Sequence, residues 1–130
     1  MQSKTALILD DESLCLGLMK EILEEKGFTV MAFSDPLSCL EELESHCRME
    51  DKPCVEVILA DNQMPGMTGL EFLQFLRARG CKLPDRCKAL ISGSWEQEQM
   101  QQAREMGCQV FYKPTPIDSI YQWLDEDCAI

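Results

Sequence analysis

The sequence has no apolar stretch approaching the roughly 20 residues that a membrane-spanning helix needs. Its opening, MQSKTALILD, carries one lysine and a short apolar run that ends in acid, which does not make a secretory signal. A basic surplus is also missing: 12 lysines and arginines stand against 23 aspartates and glutamates, a net charge of -11. That balance speaks against binding nucleic acid or an anionic membrane through a basic patch. It favours a divalent cation or a partner with a basic face. No C-x-x-C occurs. The eight cysteines, at 15, 39, 47, 54, 81, 87, 108 and 128, stand singly, so neither a zinc ribbon nor a thioredoxin-type motif is supported. Without a signal peptide they read as free thiols in a reducing cytoplasm, several of them small core hydrophobes. The group His46, Cys47 and Cys54 matches no metal-site spacing. There is no internal repeat and no low-complexity linker, and residues 1–130 read as one domain.

What is present is alternation. Hydrophobic residues make up 45% of the chain, enough for a packed core. Short apolar runs at 6–9, 28–33, 55–60, 88–91 and 109–112 read as strands. Between and after them lie five helical patterns. Leu14, Cys15, Leu18, Met19 and Ile22 mark the first, with Gly27 as its stop. Asp35 and Pro36 open the second, whose face carries Leu37, Leu40 and Leu43, and CRMEDKPC follows as a polar connection. Thr68 and Glu71 have capping-box spacing for the third, which ends near Gly80. The fourth, Trp95 to Met106, is unusually polar and stops at Gly107. Thr115 and Pro116 open the last, with Ile117, Ile120, Tyr121 and Leu124 on one face. Tyr121 and Trp123 also suggest an interface patch, set against a core role for Tyr121. The tail DEDCAI reads as a frayed end. Strand–helix alternation of this kind predicts an α/β fold, a doubly wound five-stranded parallel sheet with helices on both faces.

In such sheets ligands sit beyond the carboxyl ends of the strands. The first strand runs into Asp10 and Asp11, the third into Asp61, the fourth into Ser92 and Gly93, and the fifth into Lys113 and Pro114. Each has an ordinary explanation. Asp10 and Asp11 suit a helix cap, Asp61 an Asx turn, Ser92 a turn, and Lys113 the surface. Together they predict one cleft. Two aspartates about 4 Å apart repel by about 4 kcal/mol at an effective dielectric of 20. One divalent cation and one lysine cancel three aspartates, and an all-oxygen site suits Mg2+. A charged-oxygen substrate follows, phosphate first.

These stretches, ALILDDES, ILADNQMPGMTGLEFL, ALISGS and VFYKPTP, closely resemble the receiver domain of bacterial two-component response regulators, over essentially the whole chain. The resemblance implies a flavodoxin-like fold with strand order 2-1-3-4-5. It implies that Asp61 accepts a phosphoryl group from a sensor histidine kinase or phosphotransfer protein. Asp11 would bind Mg2+ directly, Asp10 through water, and the backbone carbonyl of Gln63 would add a ligand. Ser92 would be the switch hydroxyl, and Lys113, joined to Pro114 by a cis bond, would contact the phosphate. Helix four, strand five and helix five would form the output surface, toward an unknown protein target or a second copy of the chain. Such a protein is a switch, catalysing no more than its own phosphorylation and dephosphorylation. The family's frequent aromatic three positions before the lysine is Val110 here, and Gly93 replaces a common alanine. Two alternatives remain: a binding scaffold that is not phosphorylated, and a magnesium-dependent phosphohydrolase. Gln63 counts against the second, which needs an aspartate there.

Overall fold

The computed structural model describes residues 4–46 and 55–128. The connection expected across 47–54, with Cys47 and Cys54, lies outside the described residues, as do the last two residues of the tail. The elements are β1 (Lys4–Leu9), α1 (Ser13–Glu25), β2 (Phe28–Phe33), α2 (Pro36–His46), β3 (Val57–Asp61), α3 (Gly69–Ala78), a 3-10 turn at Asp85–Cys87, β4 (Lys88–Ser92), α4 (Gln97–Met106), β5 (Gln109–Tyr112) and α5 (Ile117–Glu126). The strands form one parallel sheet, as the alternating pattern predicts, in the order β2-β1-β3-β4-β5 that the family resemblance implies.

The burial pattern explains the order. Every residue of β3 and β4 is buried, and so is the run Ala6 to Leu9 of β1. Strands covered on both faces need continuous apolar runs, which is how these three read in the sequence. The outer strands β2 and β5 are only partly buried. Right-handed crossovers then decide the layers. The chain steps one way from β1 to β2 and the opposite way from β2 through β3 and β4 to β5. Hence α1 lies on one face and α2, α3 and α4 on the other. Helix α5 joins α1: Lys26 pairs with Asp125 at 3.2 Å and sits over the Tyr121 ring, whose hydroxyl donates to the Ile22 carbonyl.

Several boundaries and faces differ from the sequence reading. Strand β3 starts at Val57 because Glu56 bonds sideways to β1. Its amide donates to the Thr5 carbonyl at 2.8 Å, and its carboxylate accepts from the Thr5 amide. Helix α4 starts at Gln97, since the Trp95 indole donates to the Phe111 carbonyl at 3.1 Å and holds that residue against β5. The inner face of α2 is Pro36, Cys39, Leu40 and Leu43, and Leu37 points outward. On α1 the buried residues are Met19, Ile22 and Leu23, whereas Leu14 and Leu18 are exposed. Ile117 is likewise exposed. Trp123 is core, not an interface residue: it is 2% exposed, meets Phe111 edge-on and donates to the Arg86 carbonyl at 2.8 Å. The tail is ordered through Cys128, whose amide donates to the Trp123 carbonyl.

Other expectations stand. Asp35 caps α2 by accepting from the Ser38 amide and hydroxyl, and Thr68 and Glu71 form a complete capping box on α3. Gly107 ends α4 at a φ of 97°, which an L side chain rarely adopts. The thiols of Cys15, Cys39, Cys81, Cys87, Cys108 and Cys128 are free. Burial pushes the Cys39 thiol up to about 12 and Cys108 up to about 11, in keeping with small core hydrophobes.

Candidate functional site

The site sits where the chain leaves the sheet. Leu9 pairs with Ala60, Asp61 with Ile91, and Ser92 with Tyr112, so the ends of β1, β3, β4 and β5 are level. Backbone bonds run one residue further. The Asp10 amide donates to Phe33, the Asn62 amide to Ile91 and the Lys113 amide to Ser92. The first polar residue after each central strand is therefore as fixed as the strand itself. This edge is also the point where the strand order reverses, between β1 and β3.

Asp10, Asp11 and Asp61 each offer an oxygen, and these lie within 4.8 Å of one another. Asp10 and Asp61 are buried and Asp11 is exposed. The Lys113 ammonium reaches across: it is 3.3 Å from Asp10 Oδ2, 3.4 Å from Asp61 Oδ2 and 3.3 Å from Glu12 Oε1. The peptide bond from Lys113 to Pro114 is cis.

Each buried aspartate serves two purposes at once. Asp10 Oδ1 accepts from the Glu12 amide at 2.8 Å ahead of α1, and Asp61 Oδ1 accepts from the Gln63 amide at 3.0 Å. Both are Asx turns; the helix cap expected of Asp10 is not formed, since the N-cap of α1 is Glu12 and has no side-chain cap. Both use one oxygen and leave the second facing the cleft. Asp10 Oδ2 is buried without a hydrogen bond, and its contact with Lys113 is an ion pair only. A buried carboxylate oxygen without a hydrogen bond is costly, and a water or an ion in the cleft would satisfy it. The donor set fits magnesium: hard oxygens, two buried carboxylates and one open to water.

The electrostatics reflect the crowding. Burial pushes the Asp61 carboxyl up to about 6; the Gln63 amide opposes this, Asp10 adds to it and Lys113 opposes it. For Lys113, burial works against the charge, but Asp61 and Asp10 outweigh it and hold the ammonium above its usual range.

Ser92 is fully buried at this edge, but its hydroxyl donates to the Ser94 carbonyl at 2.8 Å. The Gln63 side chain donates to Ser94 Oγ at 2.9 Å, joining the loops after β3 and β4. Val110 is half-buried, Phe111 buried and Tyr112 exposed. Three participants escape the sequence reading. Glu12 contacts Lys113. Asn62 is buried beside Asp61 and accepts from the Leu70 amide at 2.9 Å. Gly69 lies so close to β3 that an added Cβ would stand 2.5 Å from the Asp61 carbonyl oxygen. The Asx-forming type of residue 62, next to Asp61, is a signal for the second, and nothing local marks the third as a packing position.

A family model for the response regulator receiver domain matches residues 6–125. Sporulation initiation phosphotransferase F of Bacillus subtilis is 25% identical over 92% of this chain and 90% of its own. The hydrogenase transcriptional regulatory protein HoxA of Cupriavidus necator is 34% identical over 72% of this chain, which spans only 17% of that relative. The crystal structure of a receiver domain protein from Clostridium thermocellum superposes with a TM-score of 0.81 at 20% identity, covering 97% of this chain and 94% of that one. With strand order, the polar edge and the family match in agreement, the chain belongs to the response regulator receiver domain family.

Proposed function

We propose that this protein is a phosphorylation-controlled signalling switch of a two-component phosphorelay, with Asp61 taking its phosphoryl group from a sensor histidine kinase or a phosphotransfer protein. The observation that carries the reading is the Lys113 ammonium set between the buried carboxylates of Asp10 and Asp61, with Asp10 Oδ2 left unbonded. Asp61 Oδ2 attacks phosphorus in line as the bond from phosphorus to the donor nitrogen breaks, leaving an aspartyl phosphate. Lys113 moves from holding two aspartates to contacting the incoming phosphoryl oxygens. Asp11, Asp61 and the Gln63 carbonyl would hold Mg2+, and Asp10 would reach it through water. When bound, the ion supplies positive charge to balance the carboxylates and the phosphoryl oxygens.

Ser92 must give up its bond to the Ser94 carbonyl before its hydroxyl can turn to the phosphoryl group. That rearrangement pulls the loop between β4 and α4. It biases the surface made by α4, β5 and α5 toward an output form, for a protein target or a second copy of the chain. Catalysis is confined to the protein's own phosphorylation and dephosphorylation. We place the switch in the cytoplasm, in keeping with the free thiols of the six cysteines among the described residues. No helix among the described residues is long and apolar enough to cross a membrane.

Incubation with a small phosphodonor and magnesium, followed by intact mass, tests the reading. One phosphoryl group is expected, lost on chelation of the metal and in Asp61→Asn. No uptake would leave the scaffold alternative, and steady turnover of a phosphoester would restore the hydrolase.

A further inference from the structure

Asn62 follows the phosphoacceptor directly, is 2% exposed, and spends every polar group it has. Its amide donates to Ile91 on β4, and its carbonyl accepts from the Gly69 amide at 3.3 Å. Its side-chain oxygen accepts from the Leu70 amide at 2.9 Å. That backbone donor fixes the orientation of the carboxamide, so Nδ2 must point the other way. It donates there to Oε1 of Gln99 on α4, at 3.0 Å. Three bonds anchor Asn62 to β4 and α3, and the fourth reaches the helix beyond.

Helix α4 buries little else. Ala103 is its buried residue, Met106 is half-buried against the core, and its N-terminal capping position Glu96 makes no side-chain cap. The Tyr112 hydroxyl on β5 donates to the Met100 sulfur at 3.6 Å, a hydrogen bond to a weak acceptor. An element with little buried apolar surface is the kind that opens below the global unfolding free energy. One neutral side-chain hydrogen bond, worth about 1 kcal/mol, is then a sizeable share of what keeps α4 in place.

We propose that Asn62 and Gln99 form a clasp that holds α4 against the end of β3 while Asp61 is unmodified, and that the clasp opens when Asp61 is phosphorylated. Asn62 is a positioning residue in this scheme, acting through Gln99. The inference rests on the receiver reading above. Its physical logic is opposition: the Ser92 movement draws on the loop that leads into α4, and the clasp pulls the same helix back. The arrangement also explains why a buried, fully bonded carboxamide stands beside the phosphoacceptor.

Amide hydrogen exchange across residues 97–106 tests it in the whole chain. Gln99 is the residue to change, because altering Asn62 would also orphan the Leu70 amide. In unmodified protein, Gln99→Leu should speed exchange in α4 by roughly five-fold, the equivalent of one lost hydrogen bond, without changing α5. Gln99→Glu keeps an acceptor oxygen and should stay near wild type. Phosphorylated wild type, confirmed by mass in the same sample, should approach the Gln99→Leu rates. Equal α4 exchange in wild type and Gln99→Leu would overturn the proposal. So would a phosphorylated wild type whose α4 stays as protected as before. The unmodified arm needs no phosphoryl group. A chain that fails to take one up therefore sinks the phosphorylation-switch reading by mass, and the exchange data still decide whether the clasp exists.

Discussion

Asp61 is asked to be buried and to be charged, and its environment grants the first more fully than the second. Burial lifts its pKa from an ordinary 3.8 to about 6. Folding therefore disfavours the ionised form in metal-free protein. The penalty is absent well below pH 4, where the carboxyl is neutral whether folded or not, builds as the pH rises through about 4, and is complete above about pH 6. A shift of this size amounts to about 3 kcal/mol at most, and screening by water leaves about 1–2 kcal/mol. Asp61→Asn should thus be more stable than wild type at pH 7.5 by that amount, with the gap closing toward pH 4. Lys113 keeps Asp10 and Glu12 as partners in the variant. Urea midpoints with chelator present, taken across this range, would read it; a variant weaker than wild type at every pH would show that burial is not what raises the pKa. At this scale the sequence was legible where chemistry and chain order coincide. Asp10, Asp61, Ser92 and Lys113 could be found because each follows an apolar run. Gly69 could not, because its reason is a contact with the Asp61 carbonyl that only the packed α3 creates.

The elements were readable to the extent that burial is periodic. The central strands are buried on both faces, and their unbroken apolar runs in the sequence say so. Helices near the polar edge are less faithful. Leu14 and Leu37 stand in the first turns of α1 and α2, at helical spacing with core residues, yet both are exposed, while Pro36 beside Leu37 faces the core. The start of α4 also departs from its sequence pattern. Trp95 has the look of a helix's first apolar residue, but a distant carbonyl on β5 claims its indole. That bond makes Trp95 a reporter of the β4–α4 loop, whereas Trp123, buried against Phe111, forms a steady background. Adding phosphodonor and magnesium should change the emission of wild type, as movement of the loop loosens the indole. Trp95→Phe should abolish the change, and so should Asp61→Asn. A change that survives Trp95→Phe would assign the movement to α5 instead.

For the whole molecule the governing quantity is a net charge of -11. Any salt relieves the self-repulsion of such a chain by screening, so stabilisation by a magnesium salt does not by itself reveal a site. The fold separates the two effects. Asp10 and Asp11 come from one end of the chain and Asp61 from its middle, and only parallel pairing of β1 with β3 makes them neighbours. The unfolded chain has no such cluster, so a specific ion binds the folded form alone. At 100 times its dissociation constant magnesium should then add about 2.7 kcal/mol to unfolding, beyond what sodium chloride of equal ionic strength provides. Asp11→Asn removes a carboxylate that is exposed and away from the Lys113 contacts, so it should fold normally while losing most of that increment. Denaturant midpoints in the two salts measure the difference directly. If wild type and Asp11→Asn gain equally from magnesium, or if sodium chloride matches it, the acids at the sheet edge are a screened surface and hold no metal.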